Sequence, residues 1–148
     1  MERTFVMVKP DGIKKGLVGE IIKRIEDKGL AIKDIRKTRI TPSQFKRLYA
    51  HIYKKYPRII KSLYNVLTKN DVVVMIVEGR NAAKKVQAIR GPSNPAEAPR
   101  GTVRGDFARE QDMGKLYKRG KAVMNIMHSS DGSRQAGREI RIFFKKMR

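Results

Sequence analysis

Only two histidines occur in 148 residues, and one of them, His128, stands in "MNIMHSSDGSRQAGREI" (124–140), between an apolar run and a set of small polar residues. A neutral imidazole has an unperturbed pKa of ~6.5, keeps a lone pair at neutral pH and can attack phosphorus without an added base. Such a nucleophile works better when an acceptor holds its other ring nitrogen. Glu139, reaching back from a closing helix, is the candidate acceptor. Lys9 follows an apolar run and precedes "PDG", which would hold its ammonium near a sheet edge. Arg104 shares a Pro/Gly-rich segment with Ser93, Asn94 and Thr102, and a guanidinium among hydroxyls is phosphate-binding chemistry. Asn125 could bond a ligand hydroxyl. Each residue also has a plainer reading: a histidine capping a strand end, a solvated lysine, a surface loop, an amide bonding its own backbone.

Several chemistries are excluded. No Gly-Lys-Ser/Thr follows a glycine at Walker A spacing, so a nucleotide would be handled without a P-loop. His-Glu-x-x-His and calcium-loop patterns are missing as well. The chain has no cysteine, which rules out disulfides and thiolate metal sites. Lys and Arg number 35 against 14 Asp and Glu, a net charge of +21, so the surface will attract polyanions. No apolar run is long enough to cross a bilayer and the N-terminus lacks the shape of a signal peptide, so a cytoplasmic protein is expected.

The elements that must position these residues can be read from periodicity. "TFVMVK" (4–9) reads as a buried strand ended by a turn at 10–12, and Leu17, Val18, Ile21, Ile22 and Ile25 make one helical stripe ending at Gly29. "LAIKDIRKTRI" (30–40) alternates as a strand. Thr41 and Pro42 open one helix with Phe45, Leu48, Tyr49 and Ile52 on its apolar face, and 58–67 forms another. The continuous apolar run 71–77 reads as a central strand, followed by a helix over 81–89. Residues 91–105, rich in Pro and Gly, read as a long ordered loop, and 108–121 is basic and weakly patterned. "AVMNIM" (122–127) is a candidate last strand. The closing helix turns Ala136, Ile140, Phe143 and Phe144 inward. The order β-α-β-α(α)-β-α-loop-β-α over residues 1–148 predicts one α+β domain, a ferredoxin-like split β-α-β sandwich on a four-stranded antiparallel sheet.

Four stretches together, "ERTFVMVKPDG", "GLVGEIIKRIEDKG", "GPSNPAEAPRGTVRGDF" and "NIMHSSDGSRQAGREI", resemble the nucleoside diphosphate kinase family in order and spacing, over roughly residues 2–144. The resemblance implies an enzyme that moves the γ-phosphate of a nucleoside triphosphate to a nucleoside diphosphate. It would work by ping-pong through a phosphohistidine at His128, with low base specificity. Glu139, Lys9 and Tyr49 would complete the catalytic set. Lys9, Ser93, Arg104, Asn125 and Ser130 would serve the nucleotide, and the base-stacking position falls at Arg58 or Ile59, of which Ile59 is preferred. Magnesium would arrive on the nucleotide phosphates, meeting Asp131 only through water, with no protein metal site. A homo-oligomer, hexamer or smaller, is implied.

The departures are as informative. The family's second phosphate-binding arginine falls at Gln87; Arg90 is nearby but would point elsewhere on a regular helix. An extra residue after Tyr49 could bring His51 toward a phosphate. The segment 108–122 is long, which hides the second base-stacking residue; Leu116 is one candidate. An alternative function is a basic ferredoxin-like module that binds polyanions such as nucleic acid, with kinase activity weakened or lost, although no paired-aromatic RNA-recognition run is present. Nonspecific nucleic acid contact through Lys115, Lys118, Arg119, Lys121 and Lys145–Arg148 could also accompany catalysis.

Overall fold

A computed structural model describes residues 1–144. Four strands, β1 (Glu2–Val8), β2 (Ala31–Arg39), β3 (Asp71–Gly79) and β4 (Met127–Ser129), form a sheet in the order β2-β3-β1-β4. Every pairing is antiparallel. The helices are α1 (Pro10–Lys14), α2 (Val18–Asp27), α3 (Pro42–Leu48), α4 (Ala50–Lys55), α5 (Ile60–Thr68), α6 (Ala82–Arg90), α7 (Val103–Phe107), α8 (Met113–Lys118) and α9 (Ser133–Phe143), with 3-10 turns at Pro57–Ile59 and Pro95–Glu97. This is the expected ferredoxin-like α+β architecture.

The two central strands carry unbroken apolar runs, residues 5–8 in β1 and 72–77 in β3, because both sheet faces are covered there. Side chains alternate across a strand. Phe5, Met7, Val72, Val74 and Ile76 therefore pack on one side with Phe45 and Leu48 of α3, Leu63 and Leu67 of α5, and Ile140 and Phe143 of α9. Val6, Val8, Val73, Met75 and Val77 pack on the other with Ile21 and Ile25 of α2 and Val86 and Ile89 of α6. The stripe on α2 and the inward residues of α9 are as expected, and α3 opens with a capping box in which Thr41 and Gln44 bond each other's backbone N–H.

Three expectations are corrected. The turn after Lys9 is a one-turn helix, α1, because Pro10 occupies a first-turn position that needs no N–H donor. The helix expected from Thr41 onward breaks at Tyr49, which closes α3 and opens α4. The last strand is not 122–127 but 127–129. Its predicted residues give their N–H groups to side chains instead: Ala122 to Ser62 Oγ, Met124 to Gln111 Oε1 and Ile126 to Asp11 Oδ2. Ile126 also takes φ 75°, a left-handed conformation costly for a β-branched residue, which ends any extended run. His128 consequently lies within β4, opposite Met7, and shares that residue's sheet face with α9.

The Pro/Gly loop is ordered by its own side chains. Asn94 Oδ1 accepts from Ala96 and Met113 N–H, Thr102 Oγ1 donates to Pro99 O and accepts from Gly105 N–H, and Asp106 takes Gly101 N–H and the Arg24 guanidinium. A Cβ at Gly105 would overlap the Pro99 carbonyl, a backbone group that cannot swing aside. Gly105→Ala is expected to lower the urea unfolding free energy by about 1–3 kcal/mol, an overpacking cost; wild-type stability would contradict the packing described.

Candidate active site

His128 and Glu139 meet because β4 and α9 lie against the same sheet face. His128 Nε2 is 2.8 Å from Glu139 Oε1, and the same oxygen accepts from Ser130 Oγ at 2.7 Å. Gln135, one helical turn earlier on α9, donates to Oε2 at 2.9 Å. Burial alone would raise the Glu139 pKa, but these bonds and the facing imidazole outweigh it, so the carboxyl is held below its ordinary value. An ionised Glu139 requires a proton on Nε2, which leaves the Nδ1 lone pair as the reactive position. The ring sits between Phe5 and Tyr49, at 6.0 and 6.1 Å.

A cleft of about 310 Å³ opens beside this ring. Its walls include Lys9, Tyr49, Ser93, Arg104 and Asn125, so segments far apart in sequence bring these expected site residues together beside His128. Lys9 Nζ donates to Asn125 Oδ1 at 2.7 Å, and Asn125 Nδ2 donates to Ser93 O at 3.2 Å. Lys9 is almost fully buried; desolvation, with Arg104 and Arg90 adding to it against Asp11, lowers its pKa to about 7. The Tyr49 hydroxyl is buried without a hydrogen-bond partner, and burial raises its pKa. Arg104 spends most of its donors on the scaffold: Nε on Asn125 O, Nη1 on Gly91 O and Pro92 O, Nη2 on Met127 O. It locks the loop to β4 and keeps one N–H for the cleft.

Other positions fall differently from expectation. Ser130 lies off the cleft wall, fully buried behind the histidine, where it holds Glu139. Gln87 turns away and donates to the carbonyls of Ser130 and Asp131. Arg90, expected to point elsewhere, lines the cleft, because α6 ends at Gly91 and its last residue reaches across to Ser129 of β4. His51 also reaches the wall, with its pKa lowered by burial and by His128. Of the two base-stacking candidates, Ile59 faces the cleft, while Arg58 bonds Lys118 O and covers the Tyr117 ring.

A second cavity of about 280 Å³ shares Tyr56, Ile59, Met113 and Val123 with the cleft and adds Tyr117. Leu116 does not line it; Met113 and Tyr117, spaced i,i+4 on α8, do. That spacing inside a basic stretch was the available signal. Asp131 is the only carboxylate on the cleft wall, and no group of three or more His, Cys, Asp or Glu side chains able to hold a metal occurs among the described residues. Cations for phosphate oxygens, an oriented imidazole and an adjoining apolar chamber suit transfer of a phosphoryl group from a nucleotide.

Known proteins similar to this chain agree. The family model described as nucleoside diphosphate kinase matches residues 2–148. The nucleoside diphosphate kinase of Archaeoglobus fulgidus is 44% identical over 97% of this chain and 87% of its own length. That of Methanosarcina barkeri is 44% identical over 98% and 89%. Among solved structures, the Borrelia burgdorferi nucleoside-diphosphate kinase transition-state mimic with vanadate and ADP superposes with a TM-score of 0.91 at 30% identity, covering 98% of this chain and 88% of that one. The Halobacterium salinarum enzyme in complex with CDP gives 0.84 at 35% identity, covering 98% and 88%.

Lys9 sets a pH dependence. Its free-state pKa near 7 means that it is mostly neutral at pH 8, and a bound phosphate oxygen favours the charged form. Pyrophosphate releases protons of its own on meeting a cationic site, so the signal is the excess proton uptake of the wild type over Lys9→Met, read as the difference in slope of calorimetric heat against buffer ionisation enthalpy. That excess is expected at pH 8 and should largely vanish at pH 6, where Lys9 is already charged. Equal slopes in the two proteins at pH 8 would contradict this picture.

Proposed function

The chain belongs to the nucleoside diphosphate kinase family and is a phosphotransferase acting on nucleotides, and we propose that it works by ping-pong through a phosphohistidine on His128. The observation that carries this reading is the Nε2 contact to Glu139, which leaves Nδ1 unprotonated beside a cleft lined by cations. In the first half-reaction the Nδ1 lone pair attacks the γ-phosphorus and the bond to the β,γ-bridging oxygen breaks. The nucleoside diphosphate leaves with that electron pair. The imidazole gains positive charge, which Glu139 stabilises through Nε2–H. In the second half-reaction a terminal oxygen of another nucleoside diphosphate attacks the phosphohistidine, and the imidazole leaves neutral.

Lys9, Arg104, Ser93 and the Tyr49 hydroxyl would face the phosphate oxygens, and Asn125 a sugar hydroxyl. Ser130 would act by holding Glu139. The base would enter the apolar chamber beside Ile59, Met113 and Tyr117, whose largely nonpolar walls favour tolerance of different bases. Magnesium carried on the phosphates would supply further positive charge, with Asp131 the side chain able to meet its water shell.

A homo-oligomer, hexamer or smaller, is supported by β2. Its outer edge pairs with no strand among the described residues, and Ile35 on it is exposed. We also propose a cytoplasmic location, where nucleoside triphosphates are plentiful. No helix among the described residues is long and apolar enough to cross a membrane. Nonspecific nucleic acid contact is supported by the exposed Lys115, Lys118, Arg119 and Lys121 in and after α8; Lys145–Arg148 lie outside the described residues. The alternative of a binding module without kinase activity gains no support from the relatives.

Incubation with γ-labelled ATP and magnesium should leave acid-labile, base-stable label on the wild type, discharged by adding a nucleoside diphosphate. His128→Ala should take no label. Glu139→Gln should label slower by on the order of tenfold or more, because an amide neither fixes the tautomer nor stabilises the imidazolium. Labelling that survives His128→Ala would overturn the site.

A further inference from the structure

We propose that Arg90, at the last position of α6, is the main arginine contact for the nucleotide's phosphates. The inference rests on the phosphotransfer reading above and adds a residue to it. A guanidinium has five N–H donors. Arg104 places four of them on backbone carbonyls, of Asn125, Gly91, Pro92 and Met127, so one remains for a ligand. Arg90 is held differently. Its Nε donates to Gly91 O at 3.1 Å, and its Nη1 to Ser129 O at 3.2 Å and to Ser129 Oγ at 2.9 Å. No acceptor for Nη2 occurs among the described residues, so both of its N–H groups are available. The side chain lines the cleft together with Lys9, Arg104 and His128.

The position is also electrostatically sensible. Arg90 Nη1 has Asp131 at 3.9 Å, and Asp131 is mostly exposed, so the charge is only partly offset. Ser129 is the residue after His128, and anchoring Arg90 to it ties the cation's position to that of the nucleophile. Gln87, one turn earlier on α6, supplies no charge and is occupied with the carbonyls of Ser130 and Asp131. Among the cleft's arginines the free donors therefore lie mainly on Arg90, whose Nη2 keeps both N–H groups for a phosphate's oxygens, while Lys9 and Lys55 add point charges.

The experiment compares ADP and adenosine binding to the wild type, Arg90→Gln and Arg90→Lys, with labelling by γ-labelled ATP run on the same preparations. Arg90→Gln should weaken ADP by about tenfold to a hundredfold, the usual range for a lost charge-assisted contact, and leave adenosine within about twofold. Arg90→Lys, which keeps the charge and loses the fork, should fall between. Equal loss of ADP and adenosine in Arg90→Gln, with Arg90→Lys no better, would assign Arg90 a merely structural role and overturn the proposal. So would wild-type ADP binding in a normally folded Arg90→Gln. A wild type that takes no label would instead strike the phosphotransfer reading itself.

Discussion

The arrangement depends on one buried carboxylate having to be satisfied. Glu139 is 1% exposed, and an ionised carboxylate in such a place is tolerated only when donors surround it. His128 Nε2–H, Ser130 Oγ–H and Gln135 Nε2–H are those donors. Meeting that requirement has a chemical by-product: the imidazole can have no proton on Nδ1 while it is neutral. The sheet serves this contact. Met7 lies opposite His128 in the β1–β4 register, so the ring falls on the face that α9 covers. A one-residue slip of that pairing would turn the histidine toward α2 and α6 and take one of Glu139's three donors away.

The approach to His128 is irregular for a physical reason. Residues 122–126 have the composition of a strand but not the partners. Their N–H groups go to Ser62, Gln111 and Asp11, and Ile126 accepts from Lys9 N–H while sitting at φ 75°. Strain of that kind persists only where the surroundings over-determine it. Here the surroundings are α1 and Arg104, and the result is that Asn125 turns its amide to Lys9 while Met127 resumes the sheet.

Most of the sheet was legible in the chain because burial on both faces writes itself as unbroken apolar runs, as in Val72–Val77. The contact between His128 and Glu139 was legible too, since histidine is scarce and the closing helix brings Glu139 back toward it. What could not be read were features set by backbone ends. The last residue of a helix is not governed by the helix's own periodicity, which is why Arg90 turned up on the cleft wall. Strand propensity at 122–127 could not reveal that side chains elsewhere would take those N–H groups. Met113 and Tyr117 were obscured by the surrounding lysines and arginines, which dominate the composition of 108–121.

Three of the four cations lining the cleft, Lys9, Arg90 and Arg104, are wholly or partly buried, and each escapes the cost of its burial by a different route. Arg104 cannot shed its proton, so it is solvated by backbone carbonyls in place of water. Arg90 stays partly exposed and keeps Asp131 near. Lys9 has one amide oxygen and little else, and yields by dropping its pKa to about 7. Because that value lies below the unfolded one, Lys9 lowers stability fully below about pH 7 and progressively less as pH rises through 10.5, above which both states are neutral. A phosphate oxygen beside Lys9 would restore its charge and remove that penalty, so anion binding and folding would act on the same ammonium. The cleft is thus electrostatically unfinished until an anion arrives, and the large positive surface around it, net +21, raises the local concentration of the anions that complete it.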